Sequence, residues 1–241
     1  MAGLNEVQRA YANSLFDIYK SFLPTRALYL DLEGSEGSER AINAFLPRNA
    51  DPDRFHWALA TLFGVLDFED AWDFVERLEL LPHEPSWVVV FAVKDQTPDA
   101  SDERERLKSL FGEDPFPDAT WVNLHYVIKK CDEMQASIDD HRNVWFTKDR
   151  KQTRRSLEAL EWEFGIARDP EIRSHSYSYV DGRQGGMHVL ETITRHLSGE
   201  AASVESRALE RYCRADVESM FKISRDCEKG LFSRRQRGLR R

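Results

Sequence analysis

The stretch ALYLDLEG, residues 27–34, decides how this chain is expected to fold. Leucines at every second position alternate with Tyr29, Asp31 and Glu33. Because the side chains of a β-strand point alternately to its two faces, the pattern predicts a strand with one leucine face and one face that ends in two carboxylates. Neighbouring carboxylates repel each other unless water or a cation lies between them. The stretch is therefore either a solvated edge strand or a site for a hard cation such as Mg²⁺ or Mn²⁺.

Further elements are predicted on both sides of this strand. Apolar residues at steps of three and four predict an amphipathic helix over residues 4–23. The apolar run WVVVFAV, residues 87–93, is typical of a central strand that is covered on both faces. The other predicted strands are 41–47 and 119–128, and the run 55–66 fits either a strand or a helix. The other predicted helices cover residues 68–81, 154–166 and 208–231. A further helix is predicted to start after Ser101, which would be its N-cap. This order predicts an α/β domain with a mixed sheet.

Composition limits the class of protein. The 241 residues are 41% hydrophobic and include 14 phenylalanines, 7 tyrosines and 6 tryptophans, which is too apolar for a disordered chain. No apolar run is long enough for a membrane span, so no membrane partner is expected. Three cysteines without a C-x-x-C pair, and a start without a basic and apolar leader, predict a cytoplasmic protein with reduced thiols.

The negative net charge hides an uneven distribution. The net charge is -8, and the segment 231–241 holds five arginines and no acid, so the rest of the chain carries -13. Arg234, Arg235 and Arg237 would either contact phosphates of a nucleic acid or form a solvated end. An acidic body with a basic arm does not exclude a nucleic-acid partner.

The segment YCRAD, residues 212–216, adds a second group of polar residues. Tyr212 and Asp216 lie four residues apart, which places them on one face of the last predicted helix. The spacing alone is weak support for a site. It gains weight from its position after the strand that carries Asp31 and Glu33.

Three stretches together resemble the motifs of RNase H-like exonucleases of the DEDD superfamily, in its tyrosine subtype: YLDLEG, an apolar strand followed by an acidic helix start, and YCRAD. The segment 154–166 is also similar to the helix that precedes the last motif of that superfamily. The resemblance covers roughly residues 27–225. It implies an RNase H-like mixed sheet flanked by helices over 25–231, and it leaves outside that domain the amphipathic helix, over 1–24, and a basic flexible tail over 232–241.

The resemblance also implies roles for individual side chains. Asp31, Glu33 and Asp216 would bind two Mg²⁺ or Mn²⁺ ions, which can activate a water and stabilise a leaving oxygen. Tyr212 would orient the attacking water, because a phenol with a reference pKa of about 10 is a poor base at neutral pH.

The second motif departs from the family pattern. The segment FAVKDQTPDASDERERL offers four candidates for the third carboxylate, which are Asp95, Asp99, Asp102 and Glu103. Glu103 is preferred because Leu107 follows at i+4 as an anchor to the core. In addition, Asn123 stands where relatives tend to place an aspartate. These departures bear on catalysis more than on the fold.

The leading hypothesis from the sequence is a metal-dependent nuclease. It would be a 3′-to-5′ exonuclease that hydrolyses phosphodiester bonds in a single strand, or at the end of a duplex, of DNA or RNA. The alternative is a catalytically inactive RNase H-like module that binds nucleic acid, or binds protein through its N-terminal helix, in a larger complex. A third interpretation is a hydrolase of small phosphate esters.

Overall fold

The computed structural model describes residues 3–35, 38–47, 55–61, 85–95, 97–145, 157–168, 195 and 203–238. Its helices are α1 (Glu6–Ile18), α2 (Ser101–Phe111), α3 (Leu124–Lys130), α4 (Asp132–Trp145), α5 (Leu157–Glu163) and α6 (Ser203–Gly238). Its strands are β1 (Ala27–Ser35), β2 (Ser38–Pro47), β3 (Phe55–Thr61), β4 (Trp87–Val90) and β5 (Thr120–Asn123). The predicted helix over 68–81 and the end of the run 55–66 lie outside these residues.

The five strands form one mixed sheet in the order β3-β2-β1-β4-β5. Strand β1 is antiparallel to β2, and β2 is antiparallel to β3. On its other side β1 is parallel to β4, which is parallel to β5. The predicted α/β class is confirmed, and the segment that fitted either a strand or a helix is a strand over Phe55–Thr61.

The predicted alternation of β1 is visible in what covers its two faces. Leu28 and Leu30 are buried in a core that they share with Leu107 and other residues of α2. Tyr29 is buried in the opposite core, where its ring meets the ring of Phe221 on α6 edge to face at 5.6 Å. The face of β1 that carries Tyr29 and, two residues later, Asp31 is therefore the face on which α6 packs.

Helix α1 belongs to the same hydrophobic core as the sheet. Tyr11, Ala12 and Leu15 are fully buried and share that core with Tyr29. The helix packs against α3, α4 and α6. Its apolar stripe, from which a protein partner was expected, is thus covered by other helices of this chain.

Two predicted elements around β5 have different ends. The predicted strand over 119–128 is a strand only as far as Asn123, and helix α3 starts at Leu124. The cause is Asn123, whose side chain accepts a hydrogen bond from the backbone N–H of His125 and so caps α3. The side-chain amide of Asn123 also accepts a hydrogen bond from the N–H of Ala92 and donates one to its carbonyl. These bonds take Ala92 out of the sheet, so the run 87–93 is a strand only over Trp87–Val90.

The predicted N-cap of α2 is wrong. Ser101 is the first helical residue, and the cap position is taken by Ala100 in the left-handed conformation with φ +49°. The first N–H groups of α2 are satisfied from the preceding loop. The Thr97 hydroxyl accepts from the N–H of Ser101, and the Asp95 carboxylate accepts from the N–H of Asp102.

The last helix is longer than predicted. It was expected over 208–231, with an unstructured tail after it, but α6 extends over Ser203–Gly238. Arg234, Arg235 and Arg237 therefore lie on the last turns of a helix, and the described side chains of this helix end at Leu231. In the part of the chain that the structure describes, none of the helices has the length and apolarity to cross a membrane.

Candidate active site

Asp31 lies on β1 beyond the residues that pair with the parallel strand β4. Strand β4 pairs with β1 only through Ala27, Leu28 and Tyr29, so β1 runs on past the carboxyl end of its neighbour and carries Asp31 with it. Ligands of open α/β sheets bind outside the carboxyl ends of such strands. The register between β1 and β2 shifts directly after Glu33, and bulges of this kind are common next to functional sites. The side chain of Glu33 is outside the described part.

Glu103 comes from the first turn of α2 and lies near Asp31. Both of its carboxylate oxygens accept hydrogen bonds from Arg106 Nη1, at 2.8 and 2.9 Å. Burial raises the pKa of Glu103, the Arg106 charge opposes that rise, and the carboxylates of Asp31 and Asp95 add to it. The negative charges of Asp31 and Glu103 therefore act on each other.

The other three candidates for the third carboxylate are placed differently. Asp99 and Asp102 are exposed. Asp95 is buried, but its oxygens accept hydrogen bonds from the N–H and hydroxyl of Thr97 and from the N–H of Asp102. These bonds give Asp95 a structural role at the start of α2. Of the four acids, Glu103 is the one that is partly buried, is affected by the charge of Asp31 and does not cap a backbone N–H in this way.

Asp216 reaches the same region from α6. It is 8% exposed. Burial, together with the charges of Asp31 and Glu161, raises the pKa of Asp216 to about 7, although the Arg168 charge acts in the opposite direction. Asp31 of β1 thus acts electrostatically both on Glu103 of α2 and on Asp216 of α6.

Arg168 was not predicted from the sequence, although its guanidinium bonds to two carboxylates of this region. Its Nη2 donates a hydrogen bond to Asp216 Oδ1. Its Nε and Nη2 both donate to the carboxylate of Glu161, at 2.8 and 2.9 Å. Its guanidinium carbon lies 5.6 Å from the centre of the Tyr212 ring. Burial would lower the pKa of Arg168, but the charges of Asp216, Glu161 and Glu158 outweigh this and raise it.

The turn after α5 brings Arg168 back to Glu161. Gly165 adopts the left-handed conformation with φ +65°, the N–H of Gly165 donates to the carbonyl of Trp162, and the N–H of Ile166 donates to the carbonyl of Glu161. These are the two bonds of a Schellman turn, which ends a helix and reverses the chain. A signal for the missed pair is present in the sequence: Glu161 falls on the apolar stripe of α5, where a charge needs a buried partner.

Tyr212 lies one turn before Asp216 on α6, and it is half-buried. The predicted pairing of these two residues on one helix face is consistent with the position of Arg168, which contacts both. The arginines expected to contact nucleic acid are far from them. Arg234 follows Asp216 by 18 residues on the same helix, which corresponds to about 27 Å along its axis.

The chemistry of this region fits a cation only in part. Carboxylate oxygens are the ligands that Mg²⁺ and Mn²⁺ prefer, but the raised pKa of Asp216 is due mainly to burial and only in addition to the negative charges of Asp31 and Glu161. However, Arg168 and Arg106 already neutralise Asp216 and Glu103. Among the side chains described, no group of three or more His, Cys, Asp or Glu is placed to hold a metal ion.

The chain matches no known family model and no curated protein. The chemistry of the site therefore has to be inferred from its own geometry. That geometry consists of Asp31 at the end of β1, Glu103 and Asp216 within the reach of its charge, and the buried guanidinium of Arg168 bonded to Asp216.

Proposed function

We propose that this protein is a metal-dependent nuclease, a 3′-to-5′ exonuclease that hydrolyses phosphodiester bonds in DNA or RNA. The observation that carries the proposal is the convergence of Asp31, Glu103 and Asp216. These three carboxylates are up to 185 residues apart in the sequence, and the charge of Asp31 acts on both Glu103 and Asp216. Grouped carboxylates at this place are what a phosphodiesterase that uses divalent cations requires.

The strand arrangement supports an RNase H-like form of the fold. Three consecutive antiparallel strands followed by two parallel strands, which are added on the free side of the first, agree with an RNase H-like sheet. In that form of the fold, acidic residues of the first strand and of the last helix meet. Asp31 on β1 and Asp216 on α6 are related in this way.

Each residue of the proposed site has a defined task. Asp31, Glu33, Glu103 and Asp216 would hold Mg²⁺ or Mn²⁺, which when bound supply charge stabilisation and an activated water. Tyr212 would orient that water. Arg234, Arg235 and Arg237 would meet the phosphates of a single strand, or of a duplex end, at a distance from the reacting bond.

Cleavage of a labelled single strand tests the proposal. The purified chain is incubated with Mn²⁺ and a strand labelled at its 5′ end, and shortening from the 3′ end is followed over time. Asp31→Asn keeps the size of the side chain but removes its charge, so we expect the rate to fall by about 100-fold or more. Asp99→Asn, an equivalent change at an exposed acid of the loop before α2, should leave the rate unchanged. Cleavage that persists in Asp31→Asn, or is absent from the wild type, contradicts the proposal.

The bond between Arg168 and Asp216 favours a second candidate function. A guanidinium bound to an expected metal ligand is also what a catalytically inactive RNase H-like binding module would contain. Such a module would hold the labelled strand without shortening it, whether or not Mn²⁺ is present. Its affinity would fall when Arg234, Arg235 and Arg237 are replaced together by glutamine, because phosphate contacts would be lost.

A further inference from the structure

The solvent face of α6 carries a row of basic side chains. Steps of three and four residues along a helix keep side chains on one face. Such steps place Cys213, Val217, Met220 and Cys227 in the buried core. On the side away from the core they give a basic row of five bases and one acid, all exposed or partly exposed: Arg211, Arg214, Glu218, Lys222, Arg225 and Lys229. The last of these follows the first by 18 residues, which corresponds to about 27 Å along the helix axis.

Contacts within the helix hold the basic row in place. Glu218 accepts hydrogen bonds from Arg214 Nε at 2.7 Å and from Lys222 Nζ at 3.1 Å, one helical turn away on either side. The guanidinium carbon of Arg225 lies 5.5 Å from the centre of the Phe221 ring. Exposed ion pairs within a helix contribute little to stability, so a phosphate can replace Glu218 as the partner of these bases at little cost.

This face is positive in a protein that is negative as a whole. Besides Glu218 in the row, the acids of the stretch 211–229 that reach the surface are Asp226 and Glu228, so five bases against three acids leave a charge of +2. The fourth acid, Asp216, is buried and bonded to Arg168. The chain as a whole carries -8. A local positive row on an acidic protein directs a polyanion to that row.

The side chains around the basic row favour one class of polyanion. A helix that lies on an anionic membrane inserts large apolar side chains beside its bases. Of the apolar side chains in 211–229, only Ala215 and Tyr212 are partly exposed, and the others are buried. The stretch also has no Asn or Gln to read base edges, so its contacts would be with phosphates. One straight line of charge matches one sugar–phosphate strand.

We propose that the basic row on α6 binds the phosphates of a single nucleic-acid strand, by charge and without regard to base sequence. The inference rests on the proposed function only for the class of partner, and it needs neither a metal ion nor cleavage. It assigns strand binding to a described surface that begins at Arg211, next to Tyr212 in the sequence. The arginines at the end of α6 would then extend this surface.

Binding of a single strand without metal tests this inference. Fluorescence anisotropy of a fluorescein-labelled oligodeoxythymidylate gives the Kd of the full chain in EDTA over a range of salt concentrations. The row variant combines Arg211→Gln, Lys222→Gln and Lys229→Gln. Because each phosphate contact of a single strand contributes about 0.7 to the slope of log K against log salt, we expect this slope to become smaller by about 2. At about 0.1 M salt the Kd should then be about 100-fold higher than that of the wild type.

A matched control removes the same charge elsewhere. Lys20→Gln, Lys108→Gln and Lys130→Gln together change exposed positions outside α6, and the Kd should stay within about threefold of the wild type, since salt screens distant charges. Equal losses in both variants, or no measurable affinity in the wild type, would overturn the inference. If circular dichroism shows that the row variant does not fold, the exposed Lys229→Gln alone should raise the Kd about fivefold, and an unchanged Kd would overturn it.

The other outcomes separate this inference from its rivals. Loss of affinity in the row variant, without shortening of the strand by the wild type in Mn²⁺, would reject the nuclease proposal and leave the inference standing. Shortening by the wild type with an unchanged Kd in the row variant would do the reverse. Affinity that falls only when Arg234, Arg235 and Arg237 are replaced would also overturn it. So would binding to phosphatidylserine vesicles that the row variant loses while its Kd for the strand is unchanged.

Discussion

Asn123 uses every polar atom of its side chain within the fold. Its Oδ1 accepts from the N–H groups of Ala92 and His125, at 3.2 and 3.1 Å. Its Nδ2 donates to the carbonyls of Ala92, Asp95 and Thr97. An aspartate could take the two acceptor roles but none of the donor roles. The asparagine at this position therefore fixes the loop after β4, from which α2 and Glu103 start.

Asn123→Asp should consequently weaken the fold rather than add a catalytic group. The buried carboxylate would face three carbonyl oxygens, so we expect a loss of about 3 kcal/mol of unfolding free energy. Urea unfolding followed by tryptophan fluorescence measures it. Because the burial would raise the pKa of the new carboxyl, the loss should shrink at acidic pH. Asn13→Asp, on the exposed side of α1, serves as the control. A variant as stable as the wild type would show that these amide bonds contribute little.

At the level of single residues, the sequence predicted the face on which a side chain lies where that face follows from strand alternation or from helical spacing. Asp31 was assigned to the face of β1 opposite the leucines, and Asp216 to the face of α6 that carries Tyr212. The ion pair of Glu161 and Arg168 forms because the chain reverses at Gly165. The spacing of apolar residues gives no information on the direction of the chain after such a turn. Which of four acids lies beside Asp31 depended on the path of an irregular loop, which propensity does not determine.

Among the helices, α1 is joined to the rest of the chain through its first turn. Asn5 and Gln8 form a capping box, in which each side chain accepts from the backbone N–H of the other. Asn5 Nδ2 also donates to the carboxylate of Glu163, and Gln8 Nε2 donates to the backbone carbonyl of Glu163. The other carboxylate oxygen of Glu163 accepts from the hydroxyl of Ser137 on α4. One helix start thereby connects α1, α4 and α5.

Asn5→Ala should lower the thermal stability by a small, measurable amount. Loss of an N-cap costs about 1 kcal/mol, which in a chain of this size corresponds to a melting temperature lower by about 2–4 °C. Differential scanning calorimetry gives the value. Asn13→Ala makes the same change in the middle of α1, at an exposed position, and should leave the melting temperature equal or slightly higher. Equal melting temperatures for both variants would argue against the cap.

The existence of the elements was easier to predict than their ends. Strands β1, β2 and β4 and helices α1, α5 and α6 overlap runs that the sequence pattern had identified as elements of the same type. Their limits depend on side chains that bond to the backbone from elsewhere. Asn123 ends β5, and Thr97 and Asp95 replace the expected cap of Ser101 at the start of α2.

At the scale of the whole molecule, buried tyrosines join α1 to the sheet. Tyr11 and Tyr29 are fully buried, and the hydroxyl of Tyr19 donates to the carbonyl of Pro98 at 2.6 Å. Burial raises the pKa of all three phenols well above their ordinary value of 10. The native state therefore keeps these groups neutral under conditions in which an unfolded chain would ionise them.

Stability should fall steeply in alkali. Above pH 10 the unfolded state loses protons that the native state retains, so the unfolding free energy decreases as pH rises. Each buried tyrosine contributes about 1.4 kcal/mol per pH unit. Tyr11→Phe removes one of these groups. The difference in unfolding free energy between the variant and the wild type should therefore not depend on pH near neutrality, and it should shift in favour of the variant as the pH rises above 10. Urea unfolding across this pH range measures both. A difference in unfolding free energy that stays constant above pH 10 would contradict the raised pKa of Tyr11.

The order of the strands could not be predicted, because it depends on pairings between distant segments. Apolar runs identified β1 and β4 as strands, but such a run does not indicate which strands it pairs with. In the sheet, β1 lies between β2 and β4. The apolar stripe of α1 was recognised without any indication of what covers it. Its cover comes from α3, α4 and α6, and α6 follows α1 by about 185 residues in the sequence.

This packing of α1 on α6 has a consequence for synthesis of the chain. The two helices are separated by about 185 residues, which a ribosome adding about 5–20 residues per second needs on the order of 10–40 s to make. Throughout that time the apolar face with Tyr11 and Leu15 lacks the part of its cover that α6 provides. We therefore expect this face to be accessible to chaperones during synthesis, and the native core to form only after α6 has left the ribosome.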